Sequence, residues 1–315
     1  MINTAAGSSS TVFAEAIRGP QVNSQSWTLD SAYDYCARLA RSHYENFPVG
    51  SVLVPDRLRK HFYSIYSFAR IADDFADEAY DEDHSEQERL GLIEEWRAML
   101  REAFDGRATH PVFIALADTI TQFELPIDLF EDLLTAFAQD VIVRSYQSFD
   151  QLLDYCRRSA NPIGRLILLL FGHQDQQLHA WSDDICTALQ LANHWQDVSV
   201  DLEKQRIYLP AEDLTRFEVS EDELLSLSAG EGLRRLMKFE VDRTRELFAH
   251  GKPLCTRIGG RLGLELRAVW LGGTLILDRI EQNGYDIFTR RPVITSGDKL
   301  KILWRAARKG TFKRN

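Results

Sequence analysis

Tyr63-Ser-Ile-Tyr-Ser-Phe-Ala-Arg-Ile-Ala-Asp-Asp-Phe-Ala-Asp-Glu78 contains two carboxylates, Asp73 and Asp77, four residues apart. On a helix that spacing puts them on one face. Stepping back by threes and fours from Asp73 gives Ala69, Tyr66, Phe62 and Leu58, all core-type residues. The acids thus end an apolar stripe instead of lying opposite it. Two readings stand. An acidic run is most often a solvated helix end. A carboxylate on an inward stripe, by contrast, needs a cationic partner or a metal, because burying it bare is costly. Arg70, seven residues before Asp77, is one candidate partner.

A second stretch repeats the pattern. Ala188-Leu-Gln-Leu-Ala-Asn-His-Trp-Gln-Asp-Val-Ser-Val-Asp201 sets Gln190, Asn193, Asp197 and Asp201 at three- and four-residue steps, a polar ladder beside Ile185 and Leu189. One such pair is weak; two, more than 100 residues apart, are far more specific. An oxygen-only donor set suits a hard cation. Mg²⁺ keeps waters and bridges carboxylate to phosphate oxygen, and it stabilises the charge on a departing diphosphate. The chemistry expected is loss of diphosphate to leave a carbocation. A di-iron bundle would need Glu-x-x-His pairs, and none occurs; Glu246 and His250 are four apart. No His-x-x-x-His spacing supports zinc. After the second pair, Lys204 and Arg206 in Leu202-Glu-Lys-Gln-Arg-Ile-Tyr-Leu-Pro210 are placed to reach phosphate oxygens, with Tyr208 closing over them. A solvated turn is the competing reading, weaker for Arg206 because arginine suits bidentate phosphate contact.

The surroundings read as helix. Only 18 Gly and 9 Pro occur in 315 residues, and apolar residues recur at threes and fours. Helices are expected near 30–46, 55–79, 85–104, 110–121, 126–142, 149–158, 162–171, 179–201, 220–250, 255–283 and 296–308. Pro55, Pro126 and Pro162 mark starts, and Ser220 with Glu223 fits a capping box. The organisation expected is a loose extension over 1–28, one helical domain over 29–300, and a basic tail over 301–315.

A net charge of −10 disfavours nucleic acid; it does not exclude an anionic substrate bridged by divalent cations. Hydrophobic residues at 44% suffice for a real core. Cys36, Cys156, Cys186 and Cys255 are scattered, which argues against a disulfide scaffold or zinc site and for a reduced, cytoplasmic setting. No run is long and apolar enough to span a bilayer, and no signal peptide is evident. The end of the chain carries Lys299, Lys301, Arg305, Arg308, Lys309, Lys313 and Arg314 around Ile302, Leu303 and Trp304. Peripheral contact with anionic lipid and a solvated tail are equal readings of it.

Phe68-Ala-Arg-Ile-Ala-Asp-Asp-Phe-Ala-Asp77, Asn193-His-Trp-Gln-Asp-Val-Ser-Val-Asp201 and Arg206-Ile-Tyr-Leu-Pro210 resemble the aspartate motifs of the squalene/phytoene synthase family, over about residues 30–300. The resemblance implies an all-α, single-domain isoprenoid-synthase bundle around a central cavity. It implies Mg²⁺–diphosphate held by Asp73, Asp77, Asp197 and Asp201, with Asn193 as a further oxygen ligand. Tyr66, Arg70, Gln190, Asn193, Arg206 and Tyr208 would line a polar mouth. Three stretches resemble the hydroxysqualene synthase branch of the bacterial hopanoid route: Ser42-His-Tyr-Glu-Asn-Phe-Pro-Val-Gly50, Tyr155-Cys-Arg-Arg-Ser-Ala-Asn-Pro-Ile-Gly-Arg165 and Trp195-Gln-Asp-Val198. They bring Ser42, Tyr44 and Tyr155 into the expected substrate set; for Tyr44 core packing is an equal reading.

That branch ionises presqualene diphosphate and traps the cation with water, without NADPH. A sister reaction, condensing two farnesyl diphosphates to presqualene diphosphate, squalene or phytoene, uses the same aspartates. A non-catalytic scaffold of the same fold is a third reading, and retention of all four aspartates speaks against it. The expected partners are an isoprenoid diphosphate and neighbouring squalene-pathway enzymes that hand substrate on. Ser159-Ala-Asn-Pro-Ile-Gly164 departs from the small-residue segment usual in squalene and phytoene synthases. Asn161 there either holds a water near the cation or caps the helix begun by Pro162. His194, about 100° round the helix from the ladder, is expected behind the ligands or at the surface.

Overall fold

A computed structural model of the chain describes residues 27–42, 54–77, 85–308 and 312; of Asp77 it describes the backbone alone. All regular elements among these residues are helices, and one isolated parallel bridge joins Ser145 to Ile207. The chain divides into two compact units, the first ending at Ile142 and the second beginning at Val143.

The first unit comprises α1 (Leu29–Ser42), α2 (Asp56–Asp77), α3 (Glu86–Phe104), α4 (Pro111–Phe123) and α5 (Ile127–Ile142). Helix α2, which carries the first aspartate pair, packs against all four others. Its sequence explains this. Phe68, Ala72 and Phe75 are fully buried. Phe68 meets Phe130 edge-on at 5.4 Å and Phe113 at 6.0 Å, and Trp96 of α3 donates its indole N–H to the Phe68 carbonyl at 3.2 Å. Ser85 and Glu88 form a complete capping box at the start of α3, satisfying two N–H groups that a helix start leaves open. One turn on, buried Arg89 reaches back to the Ala76 carbonyl at 2.7 Å. A guanidinium on the last turn of α2 suits the negative end of the helix dipole and holds the segment that bears the aspartates.

The second unit comprises α6 (Phe149–Ser159), α7 (Asn161–Leu170), α8 (Gln176–Glu203), α9 (Ala211–Arg216), α10 (Glu221–Leu225), α11 (Glu231–Gly251), α12 (Leu254–Arg257), α13 (Gly260–Gln282) and α14 (Ser296–Ala307). Here α8 is the central helix, packing on α6, α7, α11, α12 and α13. Its Trp195 is fully buried and donates to Thr244 Oγ1 of α11 at 2.9 Å.

Two expected helices are broken. The stretch 220–250 divides because Leu227 adopts φ 52° and Gly230 caps a fresh start. The stretch 255–283 divides at Ile258-Gly259, where Gly260 has φ 63°, a conformation glycine adopts without steric cost. Helix α9 has no counterpart in the periodicity; six residues are too few to establish one. Ser220 accepts from Glu223 N at 3.2 Å, so its side of the proposed box is present. The helix expected near 296–308 runs from Ser296 to Ala307 and so includes the first part of the basic stretch from 301. All four cysteines are free.

Gly273 on α13 is required by its neighbours: a Cβ there would lie 2.4 Å from Phe248 Cζ and 2.8 Å from Leu189 Cδ2. Phe248 is itself buried and has little room to move. Gly273→Ala should therefore lower unfolding free energy by about 1–3 kcal/mol, read as a lower urea midpoint with unchanged slope. An unaltered midpoint would mean that α8, α11 and α13 pack less tightly than described.

Candidate active site

On α2 the stripe Phe62, Tyr66, Ala69, Asp73 is only partly buried, whereas the neighbouring face, with Ser64, Phe68 and Phe75, is closed. The acids thus continue a half-open apolar wall instead of the dense core expected from the pattern. Arg70 donates to Asp73 Oδ2 at 3.2 Å and also pairs with Asp74. The partner expected for Asp77 thus engages the two preceding acids. Burial raises the pKa of the Tyr66 phenol; Arg70 works against this, while Asp74 and Asp73 add to it. Ser42 closes α1, exposed, with its hydroxyl on the Leu39 carbonyl at 2.8 Å. Tyr44 lies outside the described residues.

On α8 the ladder survives as read. Asn193 is exposed, and Gln190, Asp197 and Asp201 are half-buried. The chain then folds back: Gln205 takes φ 57°, the Arg206 N–H bonds the Asp201 carbonyl at 2.8 Å, and the Ile207 N–H bonds the Arg144 carbonyl at 2.7 Å. This return carries Arg206 and Tyr208 beside α8, both largely buried, while Lys204 stays exposed. The His194 ring stacks on Tyr208, centroids 3.6 Å apart, and Tyr146 and Tyr155 complete an aromatic layer. His194 is buried, not at the surface, and lies 3.3 Å from the Gln190 amide nitrogen. Burial first, and the Arg206 charge second, push its pKa down to about 3. The imidazole is therefore neutral at physiological pH and does not compete with the guanidinium for an anion.

Two contributors were missed. Arg291 donates to Asp197 Oδ1 at 2.6 Å, and Gln196 ties its neighbour Pro292 through the carbonyl at 2.6 Å. Arg291 lies 94 residues from its partner, and no local pattern announces such a contact. Thr187 donates to the Asn161 side-chain oxygen at 3.0 Å. Asn161 is buried at the first position of α7, the preceding cap is Ala160, and no side-chain cap bond forms there. The capping role considered for Asn161 is thus not realised, whereas the break before Pro162 is.

Among the described residues, no three His, Cys, Asp or Glu side chains gather closely enough to hold a metal ion by themselves. What each central helix offers is carboxylate oxygen beside a guanidinium: Asp73 with Arg70, and Asp197 with Arg291. That donor set fits a hard divalent cation whose remaining positions go to water and phosphate.

Both units are all-helical, and each is packed round a helix that carries aspartates four residues apart. The chain belongs to the squalene/phytoene synthase family, head-to-head prenyl synthases, whose family profile matches residues 40–298. The crystal structure of squalene synthase HpnC from Alicyclobacillus acidocaldarius is 41% identical, with TM-score 0.78, covering 87% of this chain and all 100% of that one. A dehydrosqualene synthase structure shares the fold at 22% identity and TM-score 0.77, covering 89% of this chain and 96% of that one. The phytoene synthase of Arthrospira platensis is 30% identical over 293 residues, 88% of this chain and 92% of that protein. The family uses a divalent metal. No described helix is long and apolar enough to cross a membrane.

Glu265 on α13 supplies a test of burial in the second unit. Its Oε2 is buried without a hydrogen-bond partner among the described residues, and burial alone pushes its pKa up to about 7. An unfolded glutamate titrates near 4.3. The stability that the protonated acid contributes is complete below that value and is lost as pH rises through about 7. The melting temperature of metal-free protein should fall between about pH 5 and pH 8, and Glu265→Gln should flatten that fall. An identical slope in the variant would show that Glu265 titrates normally.

Proposed function

We propose that the protein converts presqualene diphosphate and water to hydroxysqualene and diphosphate. Asp73 and Asp77 on α2, and Asp197 and Asp201 with Asn193 on α8, are the ligands proposed for Mg²⁺–diphosphate. Bound Mg²⁺ would stabilise the charge on the leaving group. Arg70, Arg206 and Lys204 add positive charge for phosphate oxygens. Tyr66, Tyr155, Tyr208, Gln190, Ser42 and Tyr44 complete the proposed substrate contacts. The C–O bond to diphosphate breaks with its electron pair leaving on oxygen. The cation rearranges with opening of the cyclopropane. A water oxygen then bonds to carbon and releases a proton. The sum consumes no reductant, so no NADPH is required.

The observation that carries the water step is the Asn161–Thr187 pair. Thr187 engages the amide oxygen at 3.0 Å, which leaves the Asn161 amide nitrogen as a donor for a water. A buried water needs two to four polar partners, and the helix break before Pro162 supplies a local backbone carbonyl as another. A second reading, condensation of two farnesyl diphosphates, has its own support: the relatives at 30% and 31% identity are named phytoene synthases, and the 41% identical structure is titled a squalene synthase.

Incubation of purified protein and Mg²⁺ with each diphosphate separately distinguishes the two. Presqualene diphosphate should give an alcohol whose oxygen labels in ¹⁸O water. A C30 or C40 hydrocarbon from farnesyl diphosphate would establish the second reading instead. EDTA should abolish turnover and Mg²⁺ restore it. Asp73→Asn and Asp197→Asn should each lower turnover by orders of magnitude while leaving the helical circular-dichroism signal intact.

Asn161→Ala should move product from alcohol to alkenes formed by proton loss, with diphosphate release less affected, and Thr187→Val should act in the same direction. An unchanged alcohol fraction in both variants would remove Asn161 from the water step.

A further inference from the structure

Helix α14 is fastened by one face and bare on the other. Arg279 of α13 donates to Asp298 at 2.5 Å, and Arg267 Nε donates to the Ala306 carbonyl at 2.6 Å. Ala306 is fully buried, whereas Leu300, Leu303 and Trp304 are 71%, 41% and 60% exposed. At 100° per residue these three fall within about 100° of arc, opposite Ile302 and Ala306. Surface helices of globular proteins usually place charge there. On α14 the charges stand at the edges of the apolar arc instead. Lys299 borders one side and Lys301 and Arg308 the other, with the Arg308 guanidinium 4.0 Å from the Trp304 ring centroid.

We propose that this face docks on an anionic lipid surface, with Leu300, Leu303 and Trp304 at the acyl boundary and the flanking Lys and Arg at phosphate head groups. The pattern is that of a helix lying in an interface, with apolar side chains below and basic ones snorkelling at its edges. Charge chooses the partner and the orientation. The whole chain carries −10, so an anionic surface repels it except where a basic patch faces the lipid. Over 296–308 there are four basic side chains and one acid, Asp298, which already pairs with Arg279. A second copy of the chain fits less well: a two-fold contact through this face sets the same patch against itself and brings basic edge against basic edge.

The test uses the full chain and needs no turnover, so it stands apart from the question of product. Sedimentation with phosphatidylcholine vesicles should leave the protein in solution, and vesicles containing phosphatidylglycerol should carry it down. That binding should weaken as salt rises, because surface charges are screened. The double variant Leu300→Ser, Trp304→Ser should lower partitioning at least about tenfold. Lys299→Gln with Lys301→Gln should lower it several-fold. Neither pair should shift the thermal melt, since all four side chains are exposed. Trp304 emission should move to shorter wavelength with anionic vesicles, a change absent from Trp304→Phe. No binding to phosphatidylglycerol vesicles overturns the proposal, as does equal binding by the Leu300, Trp304 variant. A dimer in solution that this variant dissociates, with no vesicle binding, assigns the face to self-association and also overturns it.

Discussion

Each aspartate pair belongs to the helix that its unit packs around. Helix α2 touches every other described helix of the first unit, and α8 touches five described helices of the second. A helix so placed loses its freedom to rotate or slide, because shifting it would uncover Phe68 and Phe75 in one case and Trp195 in the other, all fully buried. Burial of a large aromatic contributes several kcal/mol, and truncating one typically costs about 3–5 kcal/mol. The carboxylates inherit that rigidity. Their positions follow from apolar packing one or two turns away, and no network among the acids themselves is needed to hold them.

The charges around these acids follow a consistent rule. Asp73 and Asp197 each stand beside an arginine, Arg70 and Arg291, which places a positive charge next to each half-buried carboxylate. An arginine can leave a carboxylate for a phosphate without changing its own charge, since it does not deprotonate in proteins. The aromatic rings packed beside α8 are uncharged. His194, Tyr208, Tyr155 and Tyr146 stack there, and the neutral imidazole leaves Arg206 as the cation of that layer. Arginines thus stand beside the acids on both central helices, and uncharged aromatic rings pack beside Arg206.

Helix identity and both carboxylate ladders were legible because they are periodic: a stripe at threes and fours survives boundary errors of several residues. The breaks at Leu227 and Gly260 were less legible, since each turns on one or two backbone angles that interrupt an otherwise helical composition. The site was legible where its parts are neighbours in sequence, although Arg70, read as a candidate partner of Asp77, engages Asp73 and Asp74. Gln190 through Asp201 follow the same rule. It was illegible where a partner arrives from far along the chain. Arg291 meets Asp197 across 94 residues, and Thr187 meets Asn161 across 26. For His194 two places stayed open, behind the ligands or at the surface, because helical angle gives direction relative to the ladder and not what covers that direction; the covering residue is Tyr208, delivered by the return after Gln205.

The residues proposed for the leaving group and those proposed for the product differ in kind of position. The aspartates stand on continuous helix, where backbone bonds fix direction and a change of one residue would rotate a ligand away by about 100°. Such positions can vary little while the same anion must be held. Asn161 stands at a helix start just after the break at Ala160, where the first N–H groups lack intrahelical partners and local geometry is set by Pro162. A polar side chain there changes the local hydrogen bonding without interrupting α8. Under the proposed function the helix-borne acids would hold the diphosphate, and Asn161 would hold the water that meets the cation.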